Sequence, residues 1–296
     1  MRTGPMKYRH SFHAGNFADV HKHIALLALL RALKKKDNGF LYLETHAGRG
    51  SYDLSGGSTE AAGGVGRFLQ AQHAAAELCE YAALIEEFRA AMGPQLYPGS
   101  PLIAARELRA QDRAVLIELQ GAEAHALEEA LAALAARQGR KRNERVERGD
   151  GFARLRAFLP PPERRGLTFL DPPYEETRQD FTQLTAAVAD AARRFPTGVL
   201  VLWYPIKEER TIRPWHAECL RALHEATALQ LPVLASELWL YPRDSRVALN
   251  GSGLLIVNPP WLTLERMQAW LPELQASLAV GAGGGSSVQM LSESSR

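Results

Sequence analysis

Asp171-Pro172-Pro173-Tyr174 is the segment of this 296-residue chain whose residue types most narrowly define a chemistry. An amino group conjugated to a purine ring is a poor nucleophile, because its lone pair is delocalised into the ring. A carboxylate at Asp171 can accept one of its N–H bonds, and the Pro172 carbonyl, held by two prolines, can accept the other. Two such acceptors draw the nitrogen towards tetrahedral geometry and free its lone pair for attack. Tyr174 supplies a face on which a base stacks, worth roughly 1–3 kcal/mol by analogy with single-strand binders. Asp171, Pro172 and Tyr174 are therefore the candidate catalytic residues; the plain alternative is a turn that ends a strand. Asn258-Pro259-Pro260-Trp261 has the same shape. It ends the last expected strand, which should run antiparallel, so it reads as a structural exit at the opposite sheet edge.

Other segments suit a nucleotide-like ligand. In Glu44-Thr45-His46-Ala47-Gly48-Arg49-Gly50 the glycines after an acidic residue let the backbone pass close beneath such a ligand. No GxGxxG continuation or pyrophosphate cradle is visible, which disfavours a dinucleotide. Glu118, at a strand end, suits ribose hydroxyls, or is simply an exposed acid. Gly149-Asp150-Gly151 brings a carboxylate to an adenine amino group, or forms a turn with a helix cap. Five of the nine histidines (His10, His13, His21, His23 and His46) crowd the N-terminal part of the chain. Their HxxH and HxH spacings are ligand-capable, but no cysteine or third clustered carboxylate joins them, and no metal is expected.

These residues need elements to hold them. Asn16 is a plausible N-cap, with Asp19 three residues on, for a helix ending at Lys34-Lys35-Lys36, where cations suit the helix dipole. Apolar runs predict strands at about 40–45, 113–119, 144–148, 166–170, 198–204, 233–241 and 252–258. The first five alternate with helices, the signature of a parallel sheet covered on both faces. The last two are separated by the Pro242–Gly251 loop and should pair antiparallel. The expected fold is a Rossmann-like α/β class with a seven-stranded, mostly parallel sheet whose last strand is antiparallel. About 70 residues separate the first two strands, where one crossover helix would suffice. The surplus, 51–97, holds a Gly/Ser-rich loop (Ser55 to Gly66) and helical runs around Val65–His73 and Glu77–Met92. It is expected to be a helical insertion between 1–50 and 98–280, with the crossover helix beginning at Ser100. Residues 281–296 lack apolar periodicity and are expected to form a disordered tail.

Composition sets the outer bounds. With 46% hydrophobic and 23% charged residues, Gly 24, Pro 17 and Cys 2, the chain is neither disordered, collagenous nor disulfide-dense. Its apolar runs are too short to span a bilayer, and no secretory pattern opens it. Isolated Cys79 and Cys219 fit a reducing cytoplasm. The net charge of +2 is uninformative, yet 28 of the 35 cationic residues are Arg. Six Arg or Lys residues lie in 137–148 against Glu144 and Glu147, either as a solvated helix end or as a phosphate contact.

Taken together these features resemble S-adenosylmethionine-dependent methyltransferases acting on an amino nitrogen. Tyr8-Arg9-His10-Ser11-Phe12-His13-Ala14-Gly15-Asn16, continuing to Lys22-His23, looks like the opening of the RlmJ-type 23S rRNA (adenine-N6)-methyltransferase family. So do Thr45-His46-Ala47-Gly48, Tyr97-Pro98-Gly99-Ser100-Pro101, Asp150-Gly151, the Asp171 segment and the Asn258 segment, in order and over nearly the whole chain except the tail. The resemblance implies S-adenosylmethionine bound at His23, His46, Ser100, Glu118, Asp150 and Gly151, beside the Gly48 turn. Asp171 would be the proton acceptor, in contact with the cofactor. Tyr8 corresponds to a residue that meets substrate RNA, and Lys22 lies beside it. The implied reaction is direct in-line transfer to N6 of an adenosine in 23S ribosomal RNA, free or in an early precursor particle. The enzyme would be a cytoplasmic monomer with no membrane partner. Glu44 departs from the Asp of the family, keeping the charge but lengthening the reach. Two rivals stand beside this. A DNA adenine methyltransferase would share the Asp171 segment, but no large target-recognition domain is evident. A non-catalytic nucleic-acid-binding protein would predict decay of that segment or of the cofactor loop, and both are intact.

Overall fold

Asn16 starts the first helix as its spacing predicts: its side chain accepts from the Asp19 N–H at 3.0 Å, and α1 runs Phe17–Lys34. The computed structural model describes residues 13–174, 177–207, 209–243, 245, 247 and 249–292. After α1 come β1 (Leu41–Glu44), β2 (Ser51–Asp53), α2 (Thr59–Ala61), a π-helical turn (Ala62–Gly66), α3 (Arg67–Gln70), α4 (Ala76–Met92) and β3 (Leu96–Pro98). Then follow α5 (Ser100–Glu107), β4 (Arg113–Glu118), α6 (Gly121–Gln138), β5 (Glu144–Arg148), α7 (Gly151–Leu155) and β6 (Gly166–Leu170). The chain closes with α8 (Thr177–Arg194), β7 (Val199–Ile206), α9 (Glu209–Thr227), β8 (Val233–Trp239), β9 (Gly251–Val257), α10 (Thr263–Leu278) and β10 (Gly285–Ser292).

The main sheet has the order β10-β8-β9-β7-β6-β1-β4-β5. The five strands from β5 to β7 are mutually parallel, and β9 lies antiparallel between β7 and β8. Strand alternation divides the core in two. Tyr42, Leu116, Phe169, Val201 and Ile256 face α1, α5 and α10, whereas Leu43, Ile117, Leu170, Leu202 and Leu255 face α8 and α9. Burying each such side chain contributes about 1.5–3 kcal/mol, so register is strongly specified.

Two expectations need correction. The sheet has eight strands rather than seven, and the supposed disordered tail supplies the extra one. Gly285 to Ser292 pairs antiparallel with β8, from Gly285↔Trp239 to Ser292↔Val233. Its signal is weak because an edge strand needs few apolar residues: Val288 and Met290 touch one core and Leu291 the other. Pairing also satisfies the β8 edge, which would otherwise expose a row of unpaired backbone groups.

Segment 51–97 leaves and rejoins the domain through a two-stranded ribbon, with Ser51 opposite Pro98 and Tyr52 opposite Tyr97. Its helices do not form a separate core. Val65, Phe68, Leu78 and Tyr81 join Ile24 of α1 and Trp270 of α10 in one continuous cluster. No described helix is long and apolar enough to cross a membrane.

Candidate active site

At the C-terminal ends of β1, β4, β5, β6 and β7 lies a cavity of about 630 Å³. It straddles β1, where the strand order runs outwards in both directions, the crevice in which doubly wound sheets bind ligands. His23, His46, Gly48, Ser100, Glu118, Asp150, Gly151, Asp171, Pro172 and Lys22 all line it. Tyr8 lies outside the described residues.

One turn of α1 supplies much of its polar wall. Lys22 Nζ reaches Asp171 Oδ2 at 2.5 Å and Asp19 Oδ1 at 2.8 Å. Burial works against this ammonium, but the two carboxylates outweigh it and hold the pKa above the usual lysine range. His23 Nδ1 meets Tyr97 Oη at 2.9 Å and Tyr81 Oη at 3.3 Å, so the imidazole is oriented by the insertion and its ribbon. His21 points instead into the sheet, between Ser252 and Ser236. The i, i+3 spacing of Asp19 and Lys22 was visible in the sequence, though their joint role was not.

The β1 end supplies the floor. Glu44 is fully buried; its carboxyl accepts from Ser100 Oγ at 2.5 Å and Tyr42 Oη at 2.8 Å. Burial pushes its pKa up to about 8 despite both donors. His46 stacks edge-on against Phe152 at 4.9 Å with Nδ1 bonded to Thr45 Oγ1 at 2.8 Å, and burial lowers its pKa to about 4. The imidazole is neutral at pH 7. Gly48, at φ +62°, turns its N–H onto Glu118 Oε2 at 2.8 Å, while Gln120 N–H donates to Oε1 at 2.7 Å. Glu118 is thus fixed by two backbone donors, one on each carboxylate oxygen, and each oxygen keeps a further lone pair.

Asp150 caps α7 through Ala153 N–H at 2.8 Å, so the turn-and-cap alternative describes its local structure; its second carboxylate oxygen is available to a ligand. Gly151 permits the close approach beside it, since a Cβ there would overlap the Thr45 carbonyl oxygen. Arg49 and Glu123 pair through two 2.8 Å contacts across the rim.

Tyr174 is the residue that departs from expectation. Its hydroxyl donates to the Trp203 carbonyl at 2.6 Å, and its ring packs against Phe181 and Trp203 at 5.3 and 5.4 Å. It does not line the cavity; Pro173 and Trp203 do. A ring with an apolar neighbour on each side and a satisfied hydroxyl is committed to packing rather than to stacking a base. Trp203 was missed because its partners come from distant strands and leave no local pattern.

The remaining candidates sort by sheet polarity. Asn258 leaves the opposite edge, donating to Pro196 and Gly198 carbonyls at 2.9 and 2.8 Å, which makes its segment a strand exit. Residues 137–143 precede β5 and therefore also lie at that far edge. Arg140 pairs with Glu144 at 2.5 Å, Arg142 with Glu128 at 2.6 Å and Arg145 with Glu147, so three of the six cations of this stretch are paired within the fold. No group of three or more His, Cys, Asp or Glu able to hold a metal occurs among the described residues.

A family profile described as "Ribosomal RNA large subunit methyltransferase D, RlmJ" matches residues 37–291. Ribosomal RNA large subunit methyltransferase J of Escherichia coli (strain K12) is 37% identical over 292 residues, covering 97% of this chain and 99% of the relative. The protein of that name from Haemophilus influenzae is 36% identical with the same coverage. Protein LPL1258 from Legionella pneumophila has a crystal structure that superposes with a TM-score of 0.79 at 35% identity, covering 95% of this chain and 98% of that one.

Proposed function

The chain belongs to the RlmJ family of ribosomal RNA large subunit methyltransferases, and from that premise we propose that it transfers a methyl group from S-adenosylmethionine to N6 of an adenosine in 23S ribosomal RNA. The observation that carries the reading is Asp171, beside Pro172 in the cavity wall and paired through Oδ2 with a buried lysine. Lys22 orients that carboxylate through Oδ2, and Oδ1 has no partner among the described residues.

The donor set fits the cofactor. Glu118 suits ribose hydroxyls and Asp150 an adenine amino group, with Gly151 leaving room between them. His23, His46, Gly48 and Ser100 line the rest, and Asp171 borders both cofactor and substrate regions. When bound, the cofactor supplies a methyl group activated on a positively charged sulfur. Asp171 accepts one N–H of the exocyclic amine and the Pro172 carbonyl the other, which releases the nitrogen lone pair and gives its proton a destination. Neither Cys79 nor Cys219 borders the cavity, so the residues support direct transfer with no covalent enzyme intermediate. Positioning is the main source of rate.

An adenine stacked in a duplex cannot reach Asp171, so the target nucleotide lies in a loop or is flipped out. We therefore place the reaction on free RNA or an early precursor particle. We propose that it acts as a monomer.

The test is incubation with labelled S-adenosylmethionine and total RNA, DNA and protein. Label in N6-methyladenosine of large-subunit RNA is expected, with Asp171→Ala folded but inactive. Label in DNA alone, or wild-type turnover by Asp171→Ala, overturns the assignment.

A further inference from the structure

Trp203 stands on β7, next to β6, whose end leads into Asp171, and lines the cavity together with Pro172 and Pro173. The side chain is held from several directions. Nε1–H donates to Ser252 Oγ at 3.0 Å. Ser252 Oγ in turn bonds His21 Nδ1 at 2.9 Å, and His21 Nε2 bonds Ser236 Oγ at 3.0 Å. Lys22 Nζ, the partner of Asp171, sits 5.2 Å from the indole centroid. The residue's own carbonyl accepts from Tyr174.

The serine–histidine–serine chain is fully buried, with His21, Ser236 and Ser252 all at 0% exposure. Such a chain must satisfy every member to be tolerated in a core, and apolar residues would pack there without that demand. Burial lowers the His21 pKa to about 3, so the ring stays neutral and links two hydroxyls without titrating near pH 7. What the chain delivers at its cavity end is one acceptor, aimed at the indole N–H. With that sole polar atom satisfied, the indole is held in a fixed orientation where the residue lines the cavity.

We infer that Trp203 is the aromatic wall against which the target adenine rests, and that Ser252 and His21 are positioning residues that hold the indole in place. The inference rests on the adenine-N6 reading above: a purine whose amino group meets Asp171 extends along the wall that Trp203 forms. Tyr174, turned away and bonded to the Trp203 backbone, buttresses this wall instead of replacing it.

The experiment measures methyl transfer to large-subunit RNA and, separately, calorimetric S-adenosylmethionine binding. The proteins are wild type, Trp203→Leu, Trp203→Phe, Ser252→Ala and the Trp203→Phe/Ser252→Ala double variant. Trp203→Leu should lower kcat/KM for RNA roughly 5- to 100-fold, the range of a lost base–aromatic stack, with cofactor Kd unchanged. Trp203→Phe keeps a ring and should recover most of the loss. Ser252→Ala should lower kcat/KM about two- to tenfold in the wild-type background and hardly at all beside Phe, which has no N–H to lose. Equal Ser252→Ala effects in both backgrounds overturn the positioning role. Unchanged kcat/KM in Trp203→Leu, or a parallel loss of cofactor affinity, overturns the wall. If Trp203→Leu does not fold, Trp203→Phe and the double-variant cycle decide the matter. Absence of N6-methyladenosine with wild type would instead sink the parent reading, so the two failures are distinguishable.

Discussion

Replacing Lys22 by Met should destabilise the protein far more than a typical lysine substitution. The ammonium lies between Asp19 and Asp171 at 2.8 and 2.5 Å, with side-chain exposures of 4% for Lys22, 3% for Asp19 and 12% for Asp171. An exposed pair of this kind would be worth about 0–1 kcal/mol. Removing one partner from a buried cluster costs about 3–5 kcal/mol, because the remaining charge stays desolvated. Asp171 borders the cavity, so roughly 2–4 kcal/mol is the working value, a large part of the 5–15 kcal/mol that holds a domain together. With a urea slope of about 3 kcal/mol/M, the midpoint should fall by roughly 1 M. Met keeps the apolar stem, so the shift reports charge rather than volume. Adding Asp19→Asn to Lys22→Met should restore part of the loss. A midpoint shift under about 0.3 M would refute the reasoning.

Gly151→Ala should damage cofactor binding, since its Cβ would overlap the Thr45 carbonyl oxygen and lie 2.7 Å from the carbonyl carbon. Calorimetry should show at least about tenfold weaker S-adenosylmethionine binding. Gly63→Ala, which meets nothing within 4 Å, is the control, and equal behaviour of the two would contradict the close-packing argument. Glu44→Gln tests the buried carboxyl. Burial raises its pKa from 4.5 to about 8, so the stability tied to its proton is fully present below pH 4.5 and lost as pH rises through about 8. The glutamine variant should therefore gain in urea midpoint relative to wild type across that window, and parallel pH profiles would count against a buried proton.

The parts of this fold that were legible in the sequence are those with local causes. Asn16 and Asp19 marked a cap, Ser100 marked the crossover helix, and apolar runs marked seven of the eight strands of the main sheet. The site residues were legible where a chemical type coincided with a strand end, as at Asp171, Glu118 and Asp150. What escaped had distant causes. β2 and β3 are three residues each and exist because they pair across the insertion. β10 has only three apolar residues among its eight, and exists because β8 offers an open edge. The inward turn of Tyr174 depends on Trp203 and Phe181, and no motif encodes that choice.

The polar turn of α1 also sets a timetable for biosynthesis. His21 must find Ser252, 231 residues further along, and Lys22 must find Asp171, 149 residues on. At about 5–20 residues per second, the first gap corresponds to roughly 10–50 s of translation. Throughout that interval α1 lacks β9, the strand that carries Ser252, while Asp19, His21, Lys22 and His23 are polar groups on its unfinished face. Residues that later become the buried wall of the cavity thus serve first as solubilising groups on a nascent helix. Apolar replacements for them would meet a quality-control problem on the ribosome before any defect in the finished enzyme is felt.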